Sequence, residues 1–223
     1  MATRFEDYQS KNRCLRMTRT PEGVLTATLH TDGGAPLHNG AAHTGFMHAF
    51  GDIAADDGNE VVILTGTGGY WIWKMDFSAV GDIKQPETWP QILTEARRTL
   101  YHLLDIGVPV VAVVPGPAHA HGEYALTADV VRAADTATFK DEQHLNIGVM
   151  PADGVQVLYA EAMGHQRFRA FELLQQTITA EEALRIGMVN EALHTRSGPR
   201  GFDQTIHGDL GFPFADLAAD RHA

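Results

Sequence analysis

Cysteine is nearly absent from this chain. Its 223 residues contain one, Cys14, which rules out an intramolecular disulfide framework and a cysteine-rich zinc site. Cations are scarce too: Lys and Arg number 17 against 28 Asp and Glu, giving a formal charge of −11. No run of Lys and Arg reverses that balance locally, so nucleic acid and anionic membrane surfaces are excluded as expected partners. Long apolar runs are missing. The longest, residues 108–114, is interrupted by Pro109 and is far too short to span a bilayer. The N-terminal MATRFEDYQSKNR is polar, unlike a signal peptide. A soluble cytoplasmic protein is the expectation. Twelve histidines are many, but they are scattered and none forms HExxH. The glycine-rich stretch Gly66-Thr-Gly68-Gly69 lacks both the P-loop Lys-Ser/Thr pair and a full GxGxxG, so it is a weak candidate for phosphate binding.

What is present is an alternation of short strands and helices. Residues 16–19 and 24–30 alternate in polarity around Pro21-Glu-Gly23, which predicts a β-hairpin. Residues 41–54 place His43, Phe46, Met47, Phe50 and Ile53 on one helical face. Residues 61–65 and 108–114 are continuous apolar runs, the pattern of buried strands. A helix is expected over 88–106, with Ile92, Ala96, Leu100 and Leu103 along one side. Shorter helices are expected over 124–128, 154–163, 167–174 and 180–185, the last capped by Thr179. Strands are expected over 130–134 and 137–139, with a final one entered near Glu191. The repeat carries no two-layer parallel Rossmann signature, so it predicts an α/β chain of short strands stacked as successive turns. One unit over 1–193 follows, and then a Gly/Pro-rich tail over 194–223 without helical periodicity.

The stretch from Phe139 to Gly154 holds the most suggestive chemistry. His144 and Asp153 lie nine residues apart beside Pro151 and Gly154. A neutral imidazole oriented by a carboxylate is one way to activate water near neutral pH. A surface histidine and a helix-capping aspartate would leave the same spacing.

Five motifs in order then resemble the crotonase (enoyl-CoA hydratase/isomerase) superfamily. They are Val61-Val-Ile-Leu-Thr-Gly-Thr-Gly68 with Met75-Asp76-Phe77, then the run from Val108 to Pro117, the segment from Asp129 to Phe139, Ile147-Gly-Val-Met-Pro151-Ala-Asp-Gly154, and Ala180-Glu-Glu-Ala-Leu-Arg-Ile-Gly-Met-Val-Asn190. The resemblance spans about residues 15–193. It implies a spiral of ββα turns, here with an atypical, shortened C-terminal region, and assembly as a homo-oligomer, a trimer or hexamer. It also implies an oxyanion hole of two backbone N–H groups, falling at Met75 and His121. The departures narrow it. The acid–base glutamates of the hydratases are replaced by Tyr124 and His144, and bulky Trp71 and Trp73 stand where small residues lie near bound CoA.

The pattern is similar to one subgroup, the β-diketone hydrolases typified by 6-oxocamphor hydrolase. Their histidine in the early helix, histidine in the second oxyanion segment and later His–Asp pair correspond to His43, His121, His144 and Asp153. The resemblance implies a CoA-independent, metal-free and cofactor-free hydrolase. Such an enzyme cleaves the carbon–carbon bond of a small hydrophobic, cyclic or bicyclic 1,3-diketone by a retro-Claisen reaction. His144 would take the water proton, with Asp153 fixing its tautomer. Substrate would contact His38, Trp71, Trp73, Phe77 and Glu123. His38 stands where the subgroup has a carbonyl-binding tryptophan, and the subgroup's C-terminal helices have no counterpart in the tail. The alternatives are an enzyme acting on a CoA thioester and a non-catalytic crotonase-like subunit.

Overall fold

The computed structural model describes residues 3–77, 83 and 85–194. After a short helix α1 (Phe5–Tyr8), strands β1 (Leu15–Arg19) and β2 (Val24–Leu29) form the expected hairpin. Then come β3 (Leu37–His38), α2 (Gly40–Ala54), β4 (Val61–Thr65), β5 (Lys74–Met75), α3 (Trp89–Leu104) and β6 (Val110–Val114). Next are α4 (Glu123–Leu126), β7 (Val130–Ala134), β8 (Thr138–Phe139), a 3-10 turn at Leu145–Ile147, α5 (Val155–Met163) and α6 (His165–Leu173). The described chain closes with β9 (Ile178–Thr179), α7 (Ala180–Arg185) and β10 (Glu191–Leu193). No helix among the described residues is long and apolar enough to cross a membrane. The expected tail lies outside the described residues, His194 apart.

The main sheet has the order β1-β2-β4-β6-β7-β10. β1 is antiparallel to β2, and every other neighbouring pair is parallel. Strand order therefore follows chain order without reversal. A doubly wound sheet reverses at a switch point, where its ligand crevice opens; this sheet has none, and its chain climbs in one direction as a spiral. Two small sheets, parallel β3–β5 and antiparallel β8–β9, stand apart from it.

β4 and β6 are buried at all five positions, as continuous apolar runs demand when both faces are covered. Alternation divides them. Val62, Leu64, Val110, Ala112 and Val114 join the large core, whereas Ile63, Val111 and Val113 meet Ala134 in a second cluster. β6 starts two residues later than the apolar run, because Pro109 has no N–H to give the ladder; its carbonyl instead accepts from the Val62 N–H (2.9 Å). α2 is capped by Asn39, whose side chain accepts from the Ala42 N–H (2.9 Å). Thr179 caps α7 through the Glu182 N–H (3.2 Å).

The glycine-rich stretch has a packing role. A Cβ on Gly66 would lie 1.9 Å from the Tyr70 carbonyl oxygen, and one on Gly116 would lie 1.9 Å from that of Gly69. The loops leaving β4 and β6 thus touch backbone to backbone, and only glycine permits that approach. This contact also seats the 70–77 segment, which runs on to the cavity described next.

Candidate functional site

A cavity of ≈ 270 Å³ opens between α2, α3 and the loops after β5 and β8. Helix α3 supplies an apolar wall through Trp89, Ile92, Leu93 and Ala96. Met75, Phe77, Ile147 and Val149 add to it. The polar lining gathers at two ends, His144 with Asp153 and Gln143, and His38 with His43 and His121. Seven of the expected site residues therefore share one cavity: His38, His43, Met75, Phe77, His121, His144 and Asp153.

Three do not line it. Trp71 is fully buried, and its indole N–H donates to the His121 carbonyl (3.0 Å). Trp73 is partly exposed and packs beside Tyr70 and Lys74. Glu123 is buried behind His121 and accepts from its ring at 2.6 Å. The two tryptophans flank Ile72 in one bent segment ahead of β5, yet one is buried in the core, where it makes its hydrogen bond, and the other is exposed. Glu123 supports a site residue and does not touch the cavity.

At the first end, the His144 Nδ1–H donates to Asp141 Oδ2 (2.7 Å), and Nε2 lies 3.5 Å from Asp153 Oδ2. Asp141, not Asp153, thus fixes the ring. Burial alone would lower the His144 pKa, but hydrogen bonds and charge from Asp141 and Asp153 overcome it and raise the value to about 10. The expected neutral imidazole is instead an imidazolium at neutral pH. Burial pushes the Asp153 carboxyl upward, but its bond to His144 and the nearby histidine charges bring it below the usual carboxylate range. Behind Asp141 sits Glu172 of α6, also buried. Burial and the Asp141 charge raise its pKa to about 8, so Glu172 is protonated at neutral pH. Neither Asp141 nor Glu172 was singled out from sequence. Asp141 lies three residues before His144, a spacing short enough to have prompted the pairing.

The loop carrying this end is tied to the His121 segment. Lys140 N–H donates to the Ala118 carbonyl (3.2 Å) and Glu142 N–H to the His119 carbonyl (3.0 Å). Gln143 completes the link: its side-chain oxygen accepts from the His121 N–H at 2.8 Å. That backbone N–H, expected as the second oxyanion donor, is therefore already used. His121 holds a left-handed backbone (φ 48°), which is costly for a side chain of its size. Its ring stacks on Tyr124 with centroids 4.6 Å apart.

At the other end, three imidazoles meet. The His38 and His121 ring centroids are 4.0 Å apart. His38 Nε2 lies 3.2 Å from His43 Nδ1, and the His43 Nε2–H donates to the Ile92 carbonyl (3.0 Å). His38 Nδ1 and His121 Nε2 are buried with no hydrogen-bond partner. Burial, reinforced by neighbouring imidazoles, holds His38 well below the ordinary histidine range and His43 below it. One nitrogen from each ring lies within 4.8 Å of the other two, close enough to hold a metal ion.

A one-directional parallel spiral with its cavity at the loops after the strands is the crotonase architecture. Residues 21–197 match the family model described as enoyl-CoA hydratase/isomerase, and the chain belongs to that family. In structure it is similar to ABDH, a β-diketone hydrolase from the cyanobacterium Anabaena sp. PCC 7120 bound to (S)-3-oxocyclohexyl acetic acid. The two are 35% identical, with a TM-score of 0.86 over 96% of this chain and 86% of that one. In sequence it is 26% identical to a probable peroxisomal enoyl-CoA hydratase 1 of Arabidopsis thaliana, over 84% of this chain and 69% of that protein. It is 30% identical to a carnitinyl-CoA dehydratase of Salmonella arizonae, over 80% and 67%.

Proposed function

We propose that the protein hydrolyses the carbon–carbon bond between the two carbonyls of a small cyclic or bicyclic 1,3-diketone. The observation that carries this reading is His144, buried between two carboxylates on the wall of a largely apolar cavity. The ligand of the Anabaena hydrolase supports it. A ring ketone with an acetic acid arm is what remains when water opens a bicyclic 1,3-diketone.

In the proposed reaction, water oxygen bonds to one carbonyl carbon and its proton passes to the Asp153 carboxylate. The resulting oxyanion collapses, breaking the bond to the carbon between the carbonyls. That bond's electron pair becomes the enolate of the second carbonyl, and the released fragment is a carboxylic acid. The His144 imidazolium then gives its Nε2 proton to the enolate carbon, and the proton held by Asp153 restores it. The sum is diketone plus water giving one keto acid. Proton transfers by positioned groups of this kind contribute about 10²–10⁴-fold in rate. Met75, which lines the cavity, would present its N–H to the reacting carbonyl oxygen.

A bicyclic 1,3-diketone incubated with the protein, with keto-acid formation followed by mass spectrometry, tests this. Absence of turnover by the wild type, or unchanged turnover by His144→Ala, would sink it. The second reading, an enzyme on a CoA thioester, draws on the relatives named for CoA substrates; micromolar binding of an acyl-CoA by calorimetry would favour it.

A further inference from the structure

We propose that His38, His43 and His121 form a binding site for one divalent transition-metal cation, best matched by Zn²⁺, with an open coordination position toward the cavity. The inference does not depend on the diketone reading, and it departs from the metal-free chemistry that the family resemblance implies.

The hydrogen bonds around the cluster decide where its ring protons lie. His43 Nε2 faces the Ile92 carbonyl (3.0 Å), an acceptor only, so Nε2 carries the proton and Nδ1 a lone pair. His121 Nδ1 faces Glu123 Oε1 (2.6 Å), so in the neutral ring Nε2 carries the lone pair. That atom is buried and unpartnered. A proton shared between His38 Nε2 and His43 Nδ1 satisfies one contact and still leaves His38 Nδ1 and His121 Nε2 buried without partners. Each such group keeps the desolvation cost of an unmet hydrogen bond. With His43 Nε2 and His121 Nδ1 turned to those acceptors, His38 Nε2, His43 Nδ1 and His121 Nε2 are the nitrogens left to hold a cation, which would give His121 Nε2 a partner and leave only His38 Nδ1 without one.

The geometry fits that cation. The 3.2 Å between His38 Nε2 and His43 Nδ1 is close to the edge of a tetrahedron with metal–nitrogen bonds of about 2.0–2.1 Å. The third ring offers a nitrogen within 4.8 Å of both others, so a modest ring rotation completes the set. A carboxylate on one ring and a backbone carbonyl on another are the outer partners that typically orient metal-bound histidines. Three neutral imidazoles without a thiolate suit Zn²⁺ and its neighbours in the first row, and three protein ligands leave a position for water or substrate.

The test uses the full chain, dialysed against chelator, with metal alone and no substrate. Calorimetric titration with Zn²⁺ is expected to show one equivalent bound, and Co²⁺ the intense visible bands of a tetrahedral site. His38→Gln and His121→Gln should weaken binding at least about tenfold, and Glu123→Gln by about 10–100-fold as an outer partner. His30→Gln and His165→Gln should leave it unchanged. Absence of stoichiometric binding by the folded wild type, or wild-type affinity in folded His38→Gln, overturns the proposal. Should His38→Gln not fold, the wild-type Co²⁺ spectrum decides, since weak octahedral bands also overturn it. Because no substrate is involved, failure here leaves the diketone reading standing, and the reverse.

Discussion

The charge state of His144 makes a quantitative demand on stability. In an unfolded chain its pKa is the ordinary 6.5, and in the fold the two aspartates raise it to about 10. The folded state therefore binds the proton more tightly, by about 5 kcal/mol in the limit. The sign follows directly. Below pH 6.5 both states are protonated and the stabilisation is fully present; it is lost as pH rises toward 10. In this window the unfolded state has released its proton while the folded state holds it, so stability falls by about 1.4 kcal/mol per pH unit. Cys14, whose burial raises its thiol pKa, pushes the same way, so wild type alone is not enough. The informative quantity is the difference in unfolding free energy between wild type and His144→Gln, from urea titrations at about pH 8, 9 and 10. Cys14 cancels in that difference. The advantage of wild type should shrink by about 2 kcal/mol from the lowest pH to the highest. A difference that stays flat would show that His144 is not charged in the fold, and the proton donor assigned to it would go with it.

Four further outcomes follow from the same contacts. Asp141→Asn removes the carboxylate on His144 Nδ1; the alkaline limb of the pH–rate profile should move toward neutrality, with turnover of a diketone falling about 10²–10⁴-fold. Glu172→Gln removes a carboxyl that binds its proton more tightly in the fold, up to about pH 8. The difference in unfolding free energy between wild type and variant should fall by up to about 1.4 kcal/mol per pH unit between the ordinary carboxylate range and that pH in urea titrations, the His144 contribution cancelling in it. Gly116→Ala would drive a Cβ onto the Gly69 carbonyl; backbone cannot yield as a side chain does, so destabilisation of about 3 kcal/mol or more is expected in thermal unfolding. Trp71→Phe loses one buried N–H donor to the His121 carbonyl; about 1–3 kcal/mol of stability should go, with kcat reduced as His121 loses its tether.

The fold was largely readable because its signals are local. The runs at β4 and β6 and the helical faces of α2 and α3 each announce an element within a dozen residues; Pro109 and Asn39 set the starts of β6 and α2, and the helix expected over 88–106 ends earlier, at Leu104. The glycines were misleading for the opposite reason. Gly66 is required by the close return of its own loop at Tyr70, and Gly116 by a contact with Gly69 nearly fifty residues away, which no short window of sequence contains. The same divide runs through the site. His144 and Asp153 were found by resemblance, but the partner on Nδ1 was missed because Asp141-x-x-His144 is an unremarkable local pattern. Its weight comes from burial, completed by Glu172 on a helix thirty residues later. Trp71 shows the limit in reverse, since aromatic bulk near a family pocket does not say which side of the backbone it occupies.

The two ends of the cavity differ in a way that constrains any chemistry performed there. One end holds a charged imidazole between carboxylates, with a further carboxyl behind it that is neutral at pH 7. The other holds three imidazoles; His38 Nδ1 and His121 Nε2 have no hydrogen-bond partner there, and burial disfavours protonation of His38 and His43. In the proposed cycle the His144–Asp153 pair takes the water proton and then returns one to the enolate, so its charge is restored when the product leaves. A proton is costly on His38 and His43, so charge developing on a substrate oxygen beside them would be met by backbone N–H groups, by His121 or by a cation brought in. With the His121 N–H committed to Gln143, the backbone option narrows to the Met75 side. A single peptide donor is weak support for an oxyanion in a site where losing one donor typically costs about 3–4 kcal/mol. A cation held by the three histidines would supply the support that the hydrolytic reading lacks at this end, and turnover of a diketone compared with and without bound metal measures that contribution.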